Sequence, residues 1–372
     1  MERLVSFVRR VAFLCAAVAV ISPAQTFTTV FSFEGANGAS PYAGLVQGTH
    51  GELYGTTASG GAHGFGTVFK ITPSGTLTTL YSFCSLANCA DGSVPYAGLV
   101  QATNGDLYGT TDGGEYDGGT VFKMTPSGTL TTLYSFCLQG DFPGCADGEN
   151  PNVVLVQATG GGLYGTTGGG GASGFGTVFR FSPGGSLTTL YSFCSLTNCD
   201  DGQNPQASLV QATNGEFYGT TVQGGPNSAG TIFQITPSGT LTTIYSFCSL
   251  ANCADGRGAH GLVQATNGNL YGTTASTNSG PGDGTVYRLS VGLGPFVEPQ
   301  RTSGKVGAII KILGTDLTGA TRVTFNGTAA AFTVVSASLI TATVPAGATT
   351  GTVQVITPEG TLSSNVPFRV LQ

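Results

Sequence analysis

Acidic side chains recur at two fixed places along the chain, so paired carboxylates are the first chemistry to consider. One series follows a short turn and comprises Glu52, Asp106 and Glu216, with Gly162 and Asn269 at the equivalent places. The other comprises Asp91, Asp147, Asp201 and Asp255, with Asn37 in the first copy. A glycosidase needs two or three converging carboxylates, whereas placement repeated in every copy is typical of turns. The acids that are not repeated are Glu115, Asp117, Asp141 and Asp283.

Other catalytic and metal-binding patterns are absent from the sequence. The three histidines, His50, His63 and His260, occupy non-equivalent loop positions without a nucleophile nearby. No G-x-S-x-G, HExxH, P-loop or dinucleotide fingerprint occurs. The Asp-Gly steps of the second acidic series offer oxygen ligands for calcium, but their spacing matches no calcium loop and turns remain favoured. We therefore predict no cofactor and no enzymatic activity, with a glycosidase as the enzymatic alternative.

Eight of the nine cysteines form close pairs at equivalent places in the chain. The pairs are Cys84/Cys89, Cys137/Cys145, Cys194/Cys199 and Cys248/Cys253. An even number of cysteines in an exported chain indicates disulfide bonds. The competing interpretation is zinc, which requires four ligands converging on one point. Because successive pairs lie about 54 residues apart, we favour four structural disulfides.

The first 24 residues have the pattern of a secretory signal peptide. Arg9 and Arg10 precede an apolar run that is too short to span a bilayer, and small residues end at Ala24. The whole chain carries a net charge of −6, and removal of residues 1–24 makes it two units more negative. Nucleic acid and anionic membrane surfaces are therefore poor partners. We predict a secreted or cell-surface protein, not inserted in a membrane after cleavage, and a monomer.

The tetrapeptide YGTT begins at positions 54, 108, 164, 218 and 271, which defines a repeat of about 54 residues. Each full copy contains four short runs rich in Thr, Val, Phe, Tyr and Leu, bounded by turn residues. In the second period these runs are 76–83, 97–103, 106–111 and 119–125. Asn104-Gly105, between two of the runs, is a strong hairpin signal. Four antiparallel strands per copy are the content of one propeller blade. A β-solenoid is the structural competitor, although its coils are usually shorter.

The strand count of the repeat suggests how its two ends meet. The fifth copy lacks the outer run TLTTLYSF. A similar run, TFTTVFSF at 26–33, precedes the first copy and is not part of any copy. Pairing of residues 26–33 with 284–290 would complete the fifth blade and protect two exposed edges. We therefore predict a five-bladed β-propeller over residues 25–291, closed by the N-terminal strand. Residues 294–372 contain alternating runs and turn signals that predict a small antiparallel sandwich.

Two resemblances accompany these patterns. The recurring NGDLYGTT…GTVFKITPSGTLTTLYSF resembles the GloVer (Gloeo_Verruco) tandem repeat of exported bacterial proteins, over about residues 26–290. The segment GKVGAIIKILGTDLTGATRVTFNGTAA within 294–372 resembles an IPT/TIG immunoglobulin-like domain. The first resemblance implies a secreted or surface bacterial protein and no established activity.

These observations favour a non-enzymatic binding scaffold for a surface protein or a polysaccharide. A propeller lectin is a sharper form of the same hypothesis, because sugar faces stack on aromatic rings. The tyrosines of the five YGTT motifs (Tyr54, Tyr108, Tyr164, Tyr218 and Tyr271) lie within strands, where packing between blades is the favoured role. Better candidates for ligand contact are the aromatic residues at variable loop positions, Tyr42, Tyr96, Tyr116 and Phe142.

Overall fold

The computed structural model describes residues 27–48, 51–138, 145–182, 184–277 and 283–371. The predicted signal peptide, His50, Asp141 and Phe142 lie outside these ranges. Within them the protein is all-β apart from three single-turn 3-10 helices, at Ala87–Cys89, Thr197–Cys199 and Ala251–Cys253. None of the helices in this part of the chain is long and apolar enough to cross a bilayer.

The repeat forms five successive antiparallel sheets, here called units 1 to 5. Units 1 to 4 each have four strands in chain order, and unit 5 has three among the described residues. Their strands are β1 Val46–Gln47, β2 Leu53–Thr57, β3 Thr67–Ile71 and β4 Leu77–Ser82; β5 Val100–Gln101, β6 Leu107–Thr111, β7 Thr120–Met124 and β8 Leu130–Ser135; β9 Val156–Gln157, β10 Leu163–Thr167, β11 Thr177–Phe181 and β12 Leu187–Ser192; β13 Val210–Gln211, β14 Phe217–Thr221, β15 Thr231–Ile235 and β16 Leu241–Ser246; and β17 Arg257–Gln264, β18 Leu270–Ser276 and β19 Val286–Leu289. The first strand of units 1 to 4 is shorter than the six- or seven-residue run in the sequence. A residue with positive φ followed by a proline, such as Asn150 at 58° before Pro151, stands just before each of these runs. The pair keeps the start of the run out of the ladder.

Within each unit an aromatic ring lies over the glycine of the YGTT motif. In unit 3, Gly165 pairs across the ladder with Phe179. A Cβ atom on Gly165 would lie 2.6 Å from the tip of the Phe179 ring, so only glycine permits this close approach. The same arrangement recurs at Gly55 with Phe69 and at Gly109 with Phe122.

Each unit packs on the next through a second set of aromatic contacts. The phenylalanine that ends the TLTTLYSF run lies edge-on to the ring at the centre of the next unit's third strand. The ring centroids are 5.2 Å apart for Phe83 and Phe122, 5.4 Å for Phe136 and Phe179, 5.1 Å for Phe193 and Phe233, and 5.1 Å for Phe247 and Tyr287. In units 1 to 4 a threonine hydroxyl of the YGTT motif also donates to the segment that leads into the next unit, as from Thr56 to the Ala97 carbonyl at 2.9 Å.

The N-terminal segment lies against unit 1 and does not pair with unit 5. Phe33 is edge-on to Phe69 at 5.1 Å, as Phe83 is to Phe122 in the next pair of units. Among the described residues, β19 pairs only with β18, and residues 27–33 form no strand. The predicted ladder between 26–33 and 284–290 is therefore not present in this structure. The contact of the segment with unit 1, through Phe33 and Phe69, is present.

The C-terminal region forms two four-stranded sheets around one buried cluster. The strands are β20 Glu298–Pro299, β21 Ser303–Lys305, β22 Ile309–Leu313, β23 Arg322–Phe325, β24 Thr328–Ala330, β25 Phe332–Ser336, β26 Leu339–Thr343, β27 Val353–Thr357, β28 Gly360–Ser363 and β29 Arg369–Leu371. The sheets have the orders β20-β22-β26-β25 and β24-β23-β27-β28, and β21 pairs with β29 in parallel. Ile312 and Ile340 from one sheet meet Val323, Phe325 and Val355 from the other in the shared core.

This sandwich covers one end of the repeat, which we call the turn end because it carries the hairpin turns between the first two strands of each unit. Asn365 Nδ2 donates to the Gln211 carbonyl at 2.7 Å, and Arg369 Nη1 donates to the Thr103 carbonyl at 2.9 Å. Thr266 in unit 5 shares a 3.0 Å hydrogen bond with Thr315. The opposite end, the loop end, carries the linking loops between units and the glycine-rich loops, and it is left for other contacts.

Candidate functional site

The linking loops at the loop end are closed by disulfides. All four predicted cysteine pairs, Cys84–Cys89, Cys137–Cys145, Cys194–Cys199 and Cys248–Cys253, are bonded as expected. These loops also bridge to the glycine-rich loop of the following unit, as at Ser93 with Gly113 and Gln203 with Gln223. The loop end is therefore a cross-linked surface rather than a set of free connections.

The repeated aspartate of the linking loop organises this cross-linked turn. The Asp91 carboxylate accepts hydrogen bonds from the Tyr81 hydroxyl, the Ser85 amide and the Ser85 hydroxyl, each at 2.8 Å, and from the Leu86 amide at 3.1 Å. Asp201 and Asp255 accept the same four kinds of bond in their own loops. Burial raises the pKa of Asp91, but the bonds from Ser85, Tyr81 and Leu86 together outweigh it, and the pKa lies below its usual value. The carboxylate oxygens of this aspartate therefore stabilise the conformation of the linking loop.

Replacing Asp201 with alanine is expected to destabilise the protein by about 1.5–3 kcal/mol, because hydrogen bonds to a charged acceptor are lost and buried donors remain. Chemical unfolding monitored by intrinsic tyrosine fluorescence would measure the change. The neighbouring Asp200 is the control, since alanine occupies the same place in the three other loops, at Ala90, Ala146 and Ala254. An Asp200→Ala variant as unstable as Asp201→Ala would contradict the assigned role.

The lowered pKa values of Asp91 and Asp255 make an acid-dependent contribution to stability. A carboxyl group with a depressed folded-state pKa stabilises the fold above its unfolded pKa of about 4, and the contribution is lost as pH falls through the folded pKa. We expect the melting temperature to fall steeply below about pH 4. The double variant Asp91→Asn/Asp255→Asn should melt lower at neutral pH and show a shallower decline, and parallel declines would contradict the expectation.

Four of the five tyrosines of the YGTT motifs belong to the core, and Tyr271 in unit 5 is half-buried. Tyr54, Tyr108, Tyr164 and Tyr218 are buried, and Tyr108 packs on Leu155 and Leu163 of the following unit. Asparagines of the hairpin turns donate hydrogen bonds to the tyrosine hydroxyls, as Asn104 Nδ2 does to the Tyr108 hydroxyl at 3.2 Å. The acid after that turn, Asp106, contacts the same asparagine and lies 3.9 Å from Lys123. Asp106 therefore belongs to turn structure, as does Glu216, which accepts a hydrogen bond from Asn214 Nδ2 at 2.8 Å.

The remaining candidate catalytic groups are dispersed. His63 is exposed in the glycine-rich loop of unit 1, whereas His260 is exposed within β17 of unit 5, so its predicted loop position is wrong. Glu115, Asp117 and Asp283 are exposed in loops. One group of potential metal ligands occurs in the described part of the chain, Cys137, Cys145 and Glu149. Both sulfurs of that group are held in a disulfide, so they are not available as thiolate ligands.

A variable position recurs at the loop end within an otherwise constant backbone. It lies two residues after a residue with positive φ, at Ser40, Val94, Asn150, Asn204 and Gly258. The residues at the variable position are Tyr42, Tyr96, Asn152, Gln206 and His260, and all five are exposed. The Tyr42 and Tyr96 rings lie 5.7 Å apart at 36°. The two tyrosines were predicted from the sequence as ligand contacts, whereas Asn152 and Gln206 were not. An alignment of the repeats places these two amides at the positions of the tyrosines.

A cleft separates the loop ends of units 3 and 4. Its volume is about 390 Å³, and it is lined by Asn150, Asn152, Asn204, Pro205 and Gln206 with two glycines and Val153. No ionisable side chain lines this cleft. A second cavity of about 230 Å³ lies where the sandwich meets the turn end, beside Gln211, Phe296 and Asn365.

Five successive β-sheet units with stapled linking loops define a tandem-repeat β protein. The chain belongs to the Gloeobacter/Verrucomicrobia repeat family, whose pattern matches residues 17–146, 86–287 and 139–353. No curated protein matches the sequence.

Three solved structures show a distant likeness to the chain. A gluconolactonase from Xanthomonas campestris is 15% identical, covering 83% of this chain and 88% of that one, with a TM-score of 0.39. A protein of unknown function from Dyadobacter fermentans is 11% identical, covering 83% and 95%, with a TM-score of 0.42. The extracellular domain of a hybrid two-component system from B. thetaiotaomicron is 14% identical, covering 89% of this chain and 44% of that one, with a TM-score of 0.43.

Proposed function

We propose that this chain is an exported five-bladed β-propeller with a C-terminal Ig-like module, and that it binds an extracellular polysaccharide or surface protein through its loop end. The four disulfides support export, because such bonds persist in oxidising compartments. The observation that carries the binding role is the contrast between the two ends of the repeat. The sandwich covers the turn end, whereas the loop end presents a rigid frame with exposed residues that differ from unit to unit.

Exposed apolar side chains at the two ends of the repeat support closure of the ring. Val286 is 79% exposed, whereas the equivalent Val68, Val121, Val178 and Ile232 are fully buried by the next unit. Leu45 in unit 1 is 52% exposed, whereas its equivalents Leu99, Leu155 and Leu209 are at most 5% exposed. Contact between units 5 and 1 would bury both side chains.

The position of the N-terminal segment supports the same closure. Gly75 in unit 1 and Gly239 in unit 4 occupy equivalent turns. A Cβ atom on Gly75 would lie 2.7 Å from the carbonyl oxygen of Val30. A Cβ atom on Gly239 would lie 2.7 Å from the carbonyl oxygen of Leu190, which belongs to the outer strand of unit 3. Residues 30–33 therefore occupy, beside unit 1, the place that an outer strand occupies beside every later unit. Pairing of this segment with β19 would make it the outer strand of unit 5.

Arrays of polysaccharides and extracellular proteins test the binding role. We expect Tyr42→Ala/Tyr96→Ala to reduce binding at least tenfold, and Gln300→Ala, an exposed residue beside the sandwich, to leave it within twofold. Loss of binding in Gln300→Ala, with binding retained in the tyrosine variant, would place the ligand at the turn end and contradict binding through the loop end. Absence of binding on both arrays would contradict the proposal.

A carbohydrate-active enzyme is the second candidate, and one observation favours it. Asp112 follows the YGTT motif of unit 2, and its Oδ1 atom is buried with no hydrogen-bond partner among the described residues. The equivalent residue of unit 3, Gly168, lines the loop-end cleft, so Asp112 belongs to the corresponding place one unit earlier. Turnover of a polysaccharide that is lost in Asp112→Asn, with binding retained, would favour the enzyme over the scaffold.

A further inference from the structure

We infer that the cleft between units 3 and 4 is a subsite for a neutral saccharide, with Asn152 and Gln206 as its hydrogen-bonding side chains and the Tyr42–Tyr96 pair as a neighbouring stacking platform. This inference rests on the proposed binding role of the loop end, and it names the ligand class and the residues.

The amides at the variable position are not explained by the fold. Asn150 and Asn204 have positive φ values of 58° and 57°, which asparagine tolerates well, so their identity has a backbone reason. Asn152 and Gln206 lie two residues further on, where units 1 and 2 carry tyrosine and unit 5 carries histidine. Neither Asn152 nor Gln206 makes a side-chain hydrogen bond within the described ranges, so their donors and acceptors are available to a ligand.

The chemistry of the cleft fits an uncharged polyhydroxyl ligand. A carboxamide offers two donors and one acceptor oxygen, and a sugar hydroxyl both donates and accepts, so adjacent hydroxyls match adjacent amides. The residues that line the cleft carry no cation to compensate an anionic sugar, and the Glu149 carboxylate, which lies against Gly169 in the cleft wall, would repel one. The net charge of −6 further disfavours acidic polymers. A volume of about 390 Å³ lies within the range of small-ligand pockets.

The aromatic pair supplies the apolar contact that amides lack. Tyr42 is 72% exposed and Tyr96 is 42% exposed, and such large exposed rings on a stapled surface typically mark a contact site. Tyrosine combines an apolar face with a polar hydroxyl and few rotatable bonds, which suits a ligand with both apolar faces and hydroxyl edges.

The platform and the cleft are joined through the first strands of units 1 to 3. A Cβ atom on Gly98 would lie 3.4 Å from Val154 Cγ2 and 3.5 Å from Ala43 Cβ, so these three segments converge. Ala43 adjoins Tyr42, while Tyr96 and Asn152 each lie two residues before Gly98 and Val154. One extended glycan can therefore contact the rings and the amides together.

Affinity electrophoresis of the full chain in gels containing galactomannan, arabinoxylan or dextran, with polygalacturonate as the charged comparison, tests this inference. We expect retention by at least one neutral polymer. Asn152→Ala/Gln206→Ala should weaken that retention at least tenfold, as should Tyr42→Ala/Tyr96→Ala, whereas Gln300→Ala should stay within twofold. Both double variants replace exposed side chains, and unchanged melting curves would verify that they fold.

The other outcomes separate this inference from the broader function. Retention that is lost in the tyrosine variant but unchanged in Asn152→Ala/Gln206→Ala would overturn the subsite and leave loop-end binding intact. Stronger retention by polygalacturonate than by the neutral polymers would overturn the ligand class. Binding on a protein array without retention by any polymer would overturn the saccharide subsite and retain the scaffold.

Discussion

Replacing Phe233 with alanine is expected to lower the free energy of unfolding by about 3–5 kcal/mol, the range for deletion of a fully buried phenylalanine. Phe233 is completely buried, lies over Gly219 in its own sheet and stacks edge-on against Phe193 of unit 3 at 5.1 Å. The substitution removes the ring from both contacts. The glycine has no side chain to fill the space, so the cavity should relax poorly.

Urea unfolding of Phe233→Ala beside Phe175→Ala would measure this effect. Phe175 is an exposed ring in a glycine-rich loop, and its loss should cost less than about 1 kcal/mol. Equal losses in the two variants would show that the contacts between units do not carry the stability of the repeat.

Deleting residues 26–33 is expected to destabilise the protein by about 3 kcal/mol. Phe31 and Phe33 are half-buried, so each would lose part of the about 1.5–3 kcal/mol that full burial of such a side chain provides, and in the proposed closed ring β19 would lose its outer partner. Unit 5 should open first, because it would keep only three strands and a single neighbour in the repeat. Differential scanning calorimetry should show a melting temperature lower by on the order of 10 °C.

The control for this deletion keeps the apolar residues of the segment. Thr28 and Ser32 are exposed, so Thr28→Ala/Ser32→Ala should melt within about 1 °C of the unmodified chain. Unchanged melting of the deletion variant would show that the segment does not close the ring.

The periodic features of the fold could be read from the sequence. The repeat of YGTT, the hairpin turns and the strand-forming runs predicted four strands in each of units 1 to 4 and three in unit 5. The cysteine spacing predicted the four disulfides. These features are local, because each depends on residues within a few positions of one another. The length of the first strands was overestimated, since positive φ at residues such as Val94 is not visible from residue types alone.

Long-range placement could not be predicted from residue types. The contact between Arg369 and Thr103 spans more than half of the chain and decides which end of the repeat the sandwich covers. The role of Asp91 as acceptor for Tyr81 and Ser85 required the geometry of the folded loop, although its recurrence indicated a structural function. The cleft beside Asn152 and Gln206 likewise depends on how two neighbouring units meet.

Ring closure is central because it sets the arrangement of the binding face. The five variable positions encircle one axis only if unit 5 meets unit 1, which would bring His260 next to Tyr42. The register follows from unit 3, where Arg180 pairs with Thr188. The corresponding residues at the junction are Arg288 in β19 and Thr28 in the N-terminal segment.

The most direct measurement is the disulfide state of the exported variant Thr28→Cys/Arg288→Cys, determined by mass spectrometry of proteolytic peptides without reduction. We expect an intramolecular bond between positions 28 and 288, because paired positions bring the Cα atoms within the about 4.4–6.8 Å that a disulfide requires. Thr29→Cys/Arg288→Cys is the matched control, since a shift of one residue moves the side chain to the other face of the strand. Free thiols at 28 and 288, or bonds only between two chains, would contradict the closed ring.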